Sequence, residues 1–323
     1  MLCLPRGKSN RIAICEAVLR RGILSVEEEE RVREQMWRLA VGMDGEQRAD
    51  RFWEELRISG QYRLFHNYET VNRLGYTHQM DTVFVCPRFV LVLELKHIAG
   101  EIKYDATRNQ LLRSYNGQVQ ALGDPFNQVS RHEEWLEHFL WEIGIRNLPV
   151  LSAVVVTTVS SVLREMPEQF HMFKLEGLRF KLKYWYERMP VKVSDSILDY
   201  IRDELLGRYK MVKWLPPVEN LKLRRGVLCD CGQQMTYRYG IFTCKCGNRS
   251  RDGFLKGLLD YRLLHDEWIT NRAFREFFNI EDVDVASKYL QRLKLKYEGE
   301  KKARRYYIPE NILEIKGRNK IVQ

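Results

Sequence analysis

The chain has 323 residues, 45% hydrophobic and 30% charged, with a formal net charge of +10 at pH 7. That composition supports a folded core and about two domains, and excludes a low-complexity or disordered protein. No stretch approaches the roughly 20 apolar residues of a membrane span, and the opening MLCLPRGKSNR lacks the apolar core of a secretory signal, so a cytoplasmic location is expected.

Residues 1–41 are predicted as an N-terminal helical region, and helical character continues to about residue 58. The segment VEEEERVREQMWRL presents an acidic face expected to be solvated. Two strands follow. HQMDTVFVCPRF places Gln79, Asp81, Val83 and Val85 on one face. VLVLELKH begins as a continuous apolar run, the pattern of a strand buried on both faces, yet carries Glu94 and Lys96 on the face of Val92. With a turn at Pro87 and Arg88, a symmetric hairpin pairs residues whose numbers sum to about 175, setting Asp81 opposite Glu94 and Gln79 opposite Lys96. Two facing carboxylates repel, and a hard divalent cation such as Mg²⁺ or Mn²⁺, which takes oxygen ligands, removes the repulsion. His97, by alternation, points away from this face.

The order Gln79-Met80-Asp81, Glu94-Leu95-Lys96 and Gly100 resembles the nuclease-related domain (NERD) family, a branch of the PD-(D/E)XK restriction-endonuclease-like superfamily. Upstream, the Gly-Glu of DGEQRADRFWEEL matches the family's first helix at Glu46. Downstream, DPFNQVSRHEEWL resembles its Pro-x-x-Gln helix start at Pro125 and Gln128. The resemblance covers about residues 42–160, and it departs from the family at His97, where asparagine is frequent. It implies that Asp81, Glu94 and the backbone carbonyl of Leu95 hold the Mg²⁺ or Mn²⁺, and that Lys96 orients the attacking water or helps deprotonate it. It also implies that Glu46 completes the metal shell and that Gln128 bonds Lys96 or a phosphate, so Gln79, Asp81, Glu94, Lys96, Glu46 and Gln128 form the candidate catalytic set. The implied fold is an α/β restriction-endonuclease-like mixed sheet flanked by helices, over residues 42–210.

Further along, LPVLSAVVVTTVSSVL contains a buried strand, VKVSDSILDYIRDELLGRY is an amphipathic helix closing that domain, and the prolines of KWLPPVEN mark a linker over residues 211–225. Cys3, Cys15 and Cys86 are isolated and read as structural thiols. The other four cysteines lie in LCDCGQQMTYRYGIFTCKCGN, at 229, 231, 244 and 246. Two C-x-C-G knuckles around a short hairpin look like a zinc ribbon (residues 226–250) with four thiolates on a structural Zn²⁺. Each knuckle is one residue shorter than the usual C-x-x-C, and disulfides are the alternative, disfavoured in a reducing compartment.

Residues 221–323 contain 22 Lys and Arg against 13 Asp and Glu, nearly all of the chain's positive excess. Such a surface attracts phosphate backbones. GFLKGLLDYRLLH and TNRAFREFFNI read as helices, the second capped by Thr270. DVASKYLQRLKL places Ala286, Leu290 and Leu293 on one stripe, and KYEGEKKARRYYI reads as two strands around a basic turn. The arrangement resembles a winged helix-turn-helix domain over residues 254–315. The resemblance implies a recognition helix at 282–294 presenting Ser287, Lys288, Gln291 and Arg292 to the major groove, with Lys301, Lys302, Arg304 and Arg305 on the wing.

The expected function is a Mg²⁺-dependent deoxyribonuclease docked on DNA by its C-terminal modules. The alternative is a DNA-binding regulatory or architectural protein whose nuclease-like fold is catalytically silent. RNA as substrate stays open, as does a homodimer of the kind winged helices form on palindromes.

Overall fold

The computed structural model describes residues 1–6, 10–58 and 60–315. Its chain divides into two compact units, one of Met1–Lys8 with Ala40–Lys213 and one of Ser9–Leu39 with Trp214–Gln323. The N-terminal stretch expected to be one helical region is therefore shared. Leu2–Leu4 (β1) is a strand of the first unit, whereas the helix Asn10–Arg21 (α1) and the first part of Val26–Glu55 (α2) belong to the second.

The first unit is built on a mixed six-stranded sheet. Its strands are β1, Arg63–Val71 (β2), Thr77–Val85 (β3), Val90–Lys96 (β4), Val150–Val156 (β8) and Met172–Lys174 (β10), in the order β1-β2-β3-β4-β8-β10. β2, β3 and β4 are antiparallel, whereas β1, β8 and β10 pair in parallel with their neighbours. The apolar run of β4 is explained by burial on both faces. Val90 and Val92 face Phe126, Val129 and Leu136 of the helix Pro125–Glu142 (α3). Leu91, Leu93 and Leu95 face Ala49 and Trp53 of α2 and Leu178, Leu182 and Trp185 of Leu178–Arg188 (α4). A second, four-stranded sheet that the sequence did not announce contains Glu101–Asp105 (β5), Gln110–Tyr115 (β6), Gln118–Leu122 (β7) and Val162–Arg164 (β9), in the order β7-β6-β5-β9. The helix Asp195–Arg208 (α5) packs Leu198, Ile201 and Leu205 into the α3 side of the core. The boundary between units falls inside the expected linker. Val212 N–H donates to Glu69 Oε2 at 2.8 Å, while Trp214, Val218, Leu221 and Leu223 pack against α1.

In the second unit, Thr236–Arg238 (β11), Ile241–Thr243 (β12) and Arg249–Ser250 (β13) form a small antiparallel sheet. Beyond it come the helix Gly253–Leu264 (α6), the strand Trp268–Thr270 (β14), and the helices Asn271–Phe278 (α7) and Val283–Arg292 (α8). Two strands, Tyr297–Glu298 (β15) and Arg305–Tyr307 (β16), complete a sheet of order β14-β16-β15. Thr270 Oγ1 accepts from Ala273 N–H, capping α7, and Asp282 accepts from Asp284 and Val285 N–H, capping α8. α1 is tied to α6 by a buried ion pair in which Arg21 Nε lies 2.6 Å from Asp260.

Candidate active site and cysteine cluster

The two central strands pair in the expected register. Val85–Val90, Phe84–Leu91, Val83–Val92 and Thr82–Leu93 are partners, and the two-residue turn at Pro87 and Arg88 is closed by Cys86 N–H donating to Phe89 O. Past Thr82 and Leu93 the strands part. β3 continues along β2, where Gln79 partners Glu69 rather than Lys96, and β4 continues along β8 through Lys96–Val156. The candidate residues gather where this ladder opens. Asp81 replaces the missing backbone partner, with its Oδ2 accepting from Leu95 N–H at 2.7 Å.

Lys96 Nζ donates to Glu94 Oε1 at 2.7 Å and to Gln128 Oε1 at 3.2 Å. The Pro-x-x-Gln spacing explains the second contact. Asp124 caps α3, Pro125 needs no N–H at the first position, and Gln128 falls one turn in, on the face turned to β4. Glu94 is 4% exposed, and its Oε2 is buried with no hydrogen-bond partner among the described residues. A buried carboxylate oxygen without a donor calls for a cation. Burial first, and then the Glu94 charge, raises the Asp81 carboxyl well above the usual range. Burial likewise raises Glu94, with Lys96 opposing the shift. Two carboxylates held against their own solvation, beside the Leu95 backbone, make an all-oxygen donor set that fits a hard divalent cation.

The pair implies a pH signature. Because the folded-state values lie above the unfolded ones, its stabilising contribution is complete below about pH 4 and is lost as pH rises through the raised values. Asp81→Asn is therefore expected to stabilise the protein in Mg²⁺-free buffer at pH 7.5 by about 1 kcal/mol, with little gain near pH 4.5. Urea unfolding at the two pH values tests this, and an equal gain at both would contradict it.

Glu46 projects from α2, but among the described residues no three carboxylates bring their oxygens within 4.8 Å of one another. Glu46 is held instead by Arg6, whose Nη1 lies 2.9 Å from Glu46 Oε2. The same guanidinium spans both oxygens of Asp50, donates to Asn67 Oδ1, and reaches the backbone carbonyl of Asp81 at 3.3 Å. Burial and then the Asp81 charge raise the Glu46 carboxyl, with Arg6 opposing. Arg6, Asp50 and Asn67 escaped the sequence reading. Arg6 lies 75 residues before Asp81, and no local pattern links them.

His97 turns away from the carboxylates. Its Nδ1 lies 2.9 Å from Thr157 Oγ1 and its Nε2 3.6 Å from Asp44. This contact accounts for the glycine before Glu46. A Cβ on Gly45 would lie 2.5 Å from Thr157 Oγ1 and 2.7 Å from His97 Cβ. Gly45→Ala is expected to cost a net 1–2 kcal/mol, roughly, because overpacking outweighs the gain in helix propensity. Chemical denaturation reads it, and a stabilised variant would show that α2 sits less tightly than described.

Alongside α3, beginning one turn after Gln128, a cavity of about 1100 Å³ is lined by Arg131, Trp135, His138, Arg73 and Arg208 among others. Arg73 and Arg208 both pair with Glu142, while Arg131 is exposed.

In the second unit the four cysteines meet. Cys229 and Cys246 sulfurs lie 3.6 Å apart, Cys231 and Cys244 3.5 Å apart, and all four sulfurs lie within 4.8 Å of one another. These separations exclude disulfides at about 2.05 Å and approach the ~3.8 Å edge of a tetrahedron with ~2.3 Å zinc–sulfur bonds. The one-residue-shorter knuckles close because Gly232 and Gly247 take φ of +83° and +90°, donating to the carbonyls of Cys229 and Cys244. The Cys231 backbone N–H and Asn248 draw the Cys229 thiol down to about 6, whereas the neighbouring sulfurs help to raise Cys231 and Cys244, so in the metal-free cluster Cys229 is the cysteine poised as a thiolate.

On α8, Lys288, Gln291 and Arg292 are exposed, whereas Ser287 is half-buried and accepts from Asn271 Nδ2 at 2.8 Å. Between β15 and β16, Lys301 is exposed and Arg304 lies over Tyr297; only the backbone of Lys302 is described. Arg305 pairs with Glu298 and lies over Trp268.

The comparisons agree with this geometry over part of the chain. The nuclease-related domain (NERD) family matches residues 41–157, the segment from α2 to the end of β8 that carries Glu46, Asp81, Glu94, Lys96 and Gln128. No curated protein and no solved structure gives a significant match. The matched segment suggests a nuclease-like function with nucleic acid as partner and a divalent metal as cofactor. Among the described residues no helix is long and apolar enough to cross a membrane.

Proposed function

We propose that the protein is a Mg²⁺- or Mn²⁺-dependent deoxyribonuclease, with a restriction-endonuclease-like domain over residues 42–210, a structural zinc ribbon over 226–250 and a winged helix over 254–315 that dock it on DNA. The observation that carries the reading is the convergence of Asp81, Glu94 and Lys96 where β3 and β4 part, with one Glu94 oxygen buried and unpartnered. Asp81, Glu94 and the Leu95 carbonyl would hold the cation, which polarises the phosphodiester and acidifies bound water. Lys96, steadied between Glu94 and Gln128, holds the attacking water by a hydrogen bond and bears on the charge that develops on the phosphate.

The helix-strand-helix-helix-strand-strand order of the α-helices and strands from α6 to β16 supports the winged-helix reading, and the exposed Lys288, Gln291 and Arg292 suit groove contact. Arg305, engaged by Glu298, is the weakest of the wing candidates for phosphate. The cavity along α3 offers the strand a path away from Gln128.

One observation favours the catalytically silent reading: Arg6 already neutralises part of the acidic face without a metal. The test is cleavage of supercoiled and linear DNA, beside matched RNA strands, with Mg²⁺ omitted and restored. Restoration-dependent cutting supports the enzyme; salt-sensitive binding without cutting supports the silent fold.

A further inference from the structure

We propose that Arg6 is a positioning residue of the candidate active site, the resident counter-cation that holds Glu46 away from a divalent ion at Asp81 and Glu94 and competes with that ion for it. The proposal rests on the metal-dependent reading above. Three features of the first unit carry it.

The first is the placement of the guanidinium. Arg6 is only 8% exposed in its side chain. It contacts the carboxylate of Glu46, both oxygens of Asp50 and the backbone carbonyl of Asp81, so one cation spans the helix and the strand that supply two of the three candidate acids. The second is the separation of those acids. With Arg6 in place, Glu46, Asp81 and Glu94 do not bring their oxygens within the 4.8 Å that the four cysteine sulfurs satisfy.

The third is the backbone of Asn67. It lies within β2 between His66, which partners Thr82, and Tyr68, which partners Met80, so it falls opposite Asp81 without pairing. Its φ is +48°, a left-handed conformation that a strand residue adopts only at a cost of roughly 1–2 kcal/mol. That turn aims the side chain at the acidic cluster, where Asn67 Oδ1 accepts from the same Arg6 Nη1 that donates to Glu46. Strain of this kind persists where the surroundings over-determine it, and here the surroundings are the Arg6–Glu46 contact.

The site therefore has two arrangements of one carboxylate. In the arrangement described, Glu46 is held by Arg6, which Asn67 also engages. In the other, Glu46 leaves Arg6 for the ion beside Asp81 and Glu94, and the free energy of that exchange lowers the apparent metal affinity. Arginine suits the first role because its planar fork engages Asp50 and Glu46 together, which a lysine ammonium cannot reproduce.

Calorimetric titration of the zinc-loaded protein with Mn²⁺ tests the proposal without reference to activity. Arg6→Gln is expected to bind Mn²⁺ about tenfold more tightly, since it removes one positive charge from the site and frees Glu46. In a Glu46→Gln background the same substitution should lose most of that effect, because the exchange then has no carboxylate to release. Arg6→Lys should fall between the two. Asn67→Ala, which leaves Arg6 intact, should tighten binding in the same direction by a smaller factor and guards against an Arg6 variant that fails to fold. Affinity unchanged or weakened in folded Arg6→Gln and Asn67→Ala overturns the proposal while leaving the metal site standing. Mn²⁺ binding that survives Asp81→Asn and Glu94→Gln together overturns the metal reading on which it rests, and with it the proposal.

Discussion

Lys96→Ala and Glu94→Ala are each expected to lower Mg²⁺-dependent DNA cleavage by at least ~10³-fold, with the fold retained. The two substitutions act differently. Lys96→Ala removes the ammonium paired with a Glu94 side chain that is 5% exposed, so the Glu94 carboxylate is left buried without that partner and its pKa should rise further. Part of its loss should then be recovered at higher pH and higher Mg²⁺. Glu94→Ala instead removes a ligand and lets Lys96 relax onto Gln128, so neither pH nor metal should restore it. Lys96→Gln, which can still hydrogen-bond but carries no charge, should sit near the alanine variant if charge is what the step needs. Rates measured from pH 6 to 9 at several Mg²⁺ concentrations separate these outcomes. Equal cutting by both alanine variants and the parent would expose a contaminating nuclease. The silent-fold alternative predicts the reverse pattern, in which Glu94→Ala is without consequence in cells while Arg304→Ala removes the effect.

The part of this site that was legible in the sequence is the part written in strand alternation. The apolar runs on either side of Pro87-Arg88 fix the pairing through Thr82 and Leu93, because slipping by one residue would turn Val83, Val85 and Val92 out of the α3 face. The end of the ladder was not legible. Whether β3 follows β4 or β2 past Asp81 depends on which neighbour holds it, and Gln79 stays with Glu69, so the expected pairing with Lys96 does not form. Arg6 and Asn67 were hidden for a related reason, since their meaning arises from contacts 40 and 61 residues away. The same holds at the N-terminus. The stripe Ile14, Ala17, Val18 of α1 is an ordinary amphipathic pattern, and it is the buried Arg21–Asp260 pair, with the packing of Leu264, Trp214, Val218, Leu221 and Leu223, that assigns it to the C-terminal unit. Local chemistry, by contrast, was readable: the Pro125 start of α3 with Gln128 one turn in, and the Thr270 cap of α7, form as their residue types require, while the Asp124 and Asp282 caps follow the same rule without having been singled out.

The cysteine knuckles carry the second large effect. Purified under reducing conditions, the protein is expected to contain about one zinc per chain, and removing it should unfold residues 226–250. Structural zinc supplies roughly 10–16 kcal/mol in small four-ligand modules, and the strands of the proposed ribbon are only three, three and two residues long. Nor is the damage expected to stop at the ribbon. Val227, Met235, Phe242 and the Cys229 and Cys244 side chains share one apolar core with Phe254, Phe274 and Phe278, and Phe242 meets Phe254 edge-on with centroids 4.7 Å apart. Gly253 packs so closely beneath Val227 and Phe242 that no Cβ would fit. Loss of zinc should therefore loosen α6 and α7, while the sheet that holds Asp81 and Glu94 has its own cores and stays folded. Hydrogen exchange distinguishes the two: after zinc removal, amides over 226–280 should lose protection while those of β3 and β4 keep it. Cys244→Ser should reproduce the pattern, more strongly than Cys246→Ser, because Cys244 is buried in that core and Cys246 is exposed. Chelators would strip both proposed metals, so a cleavage assay that relies on them confuses loss of the proposed ribbon with loss of the proposed catalytic ion, and Mg²⁺ omission from zinc-loaded protein is the discriminating control. Protein that lacks zinc yet keeps full protection over 226–250 would mean that the four sulfurs hold together without a metal, through thiol hydrogen bonds across the 3.6 and 3.5 Å pairs, and would overturn the structural-zinc reading.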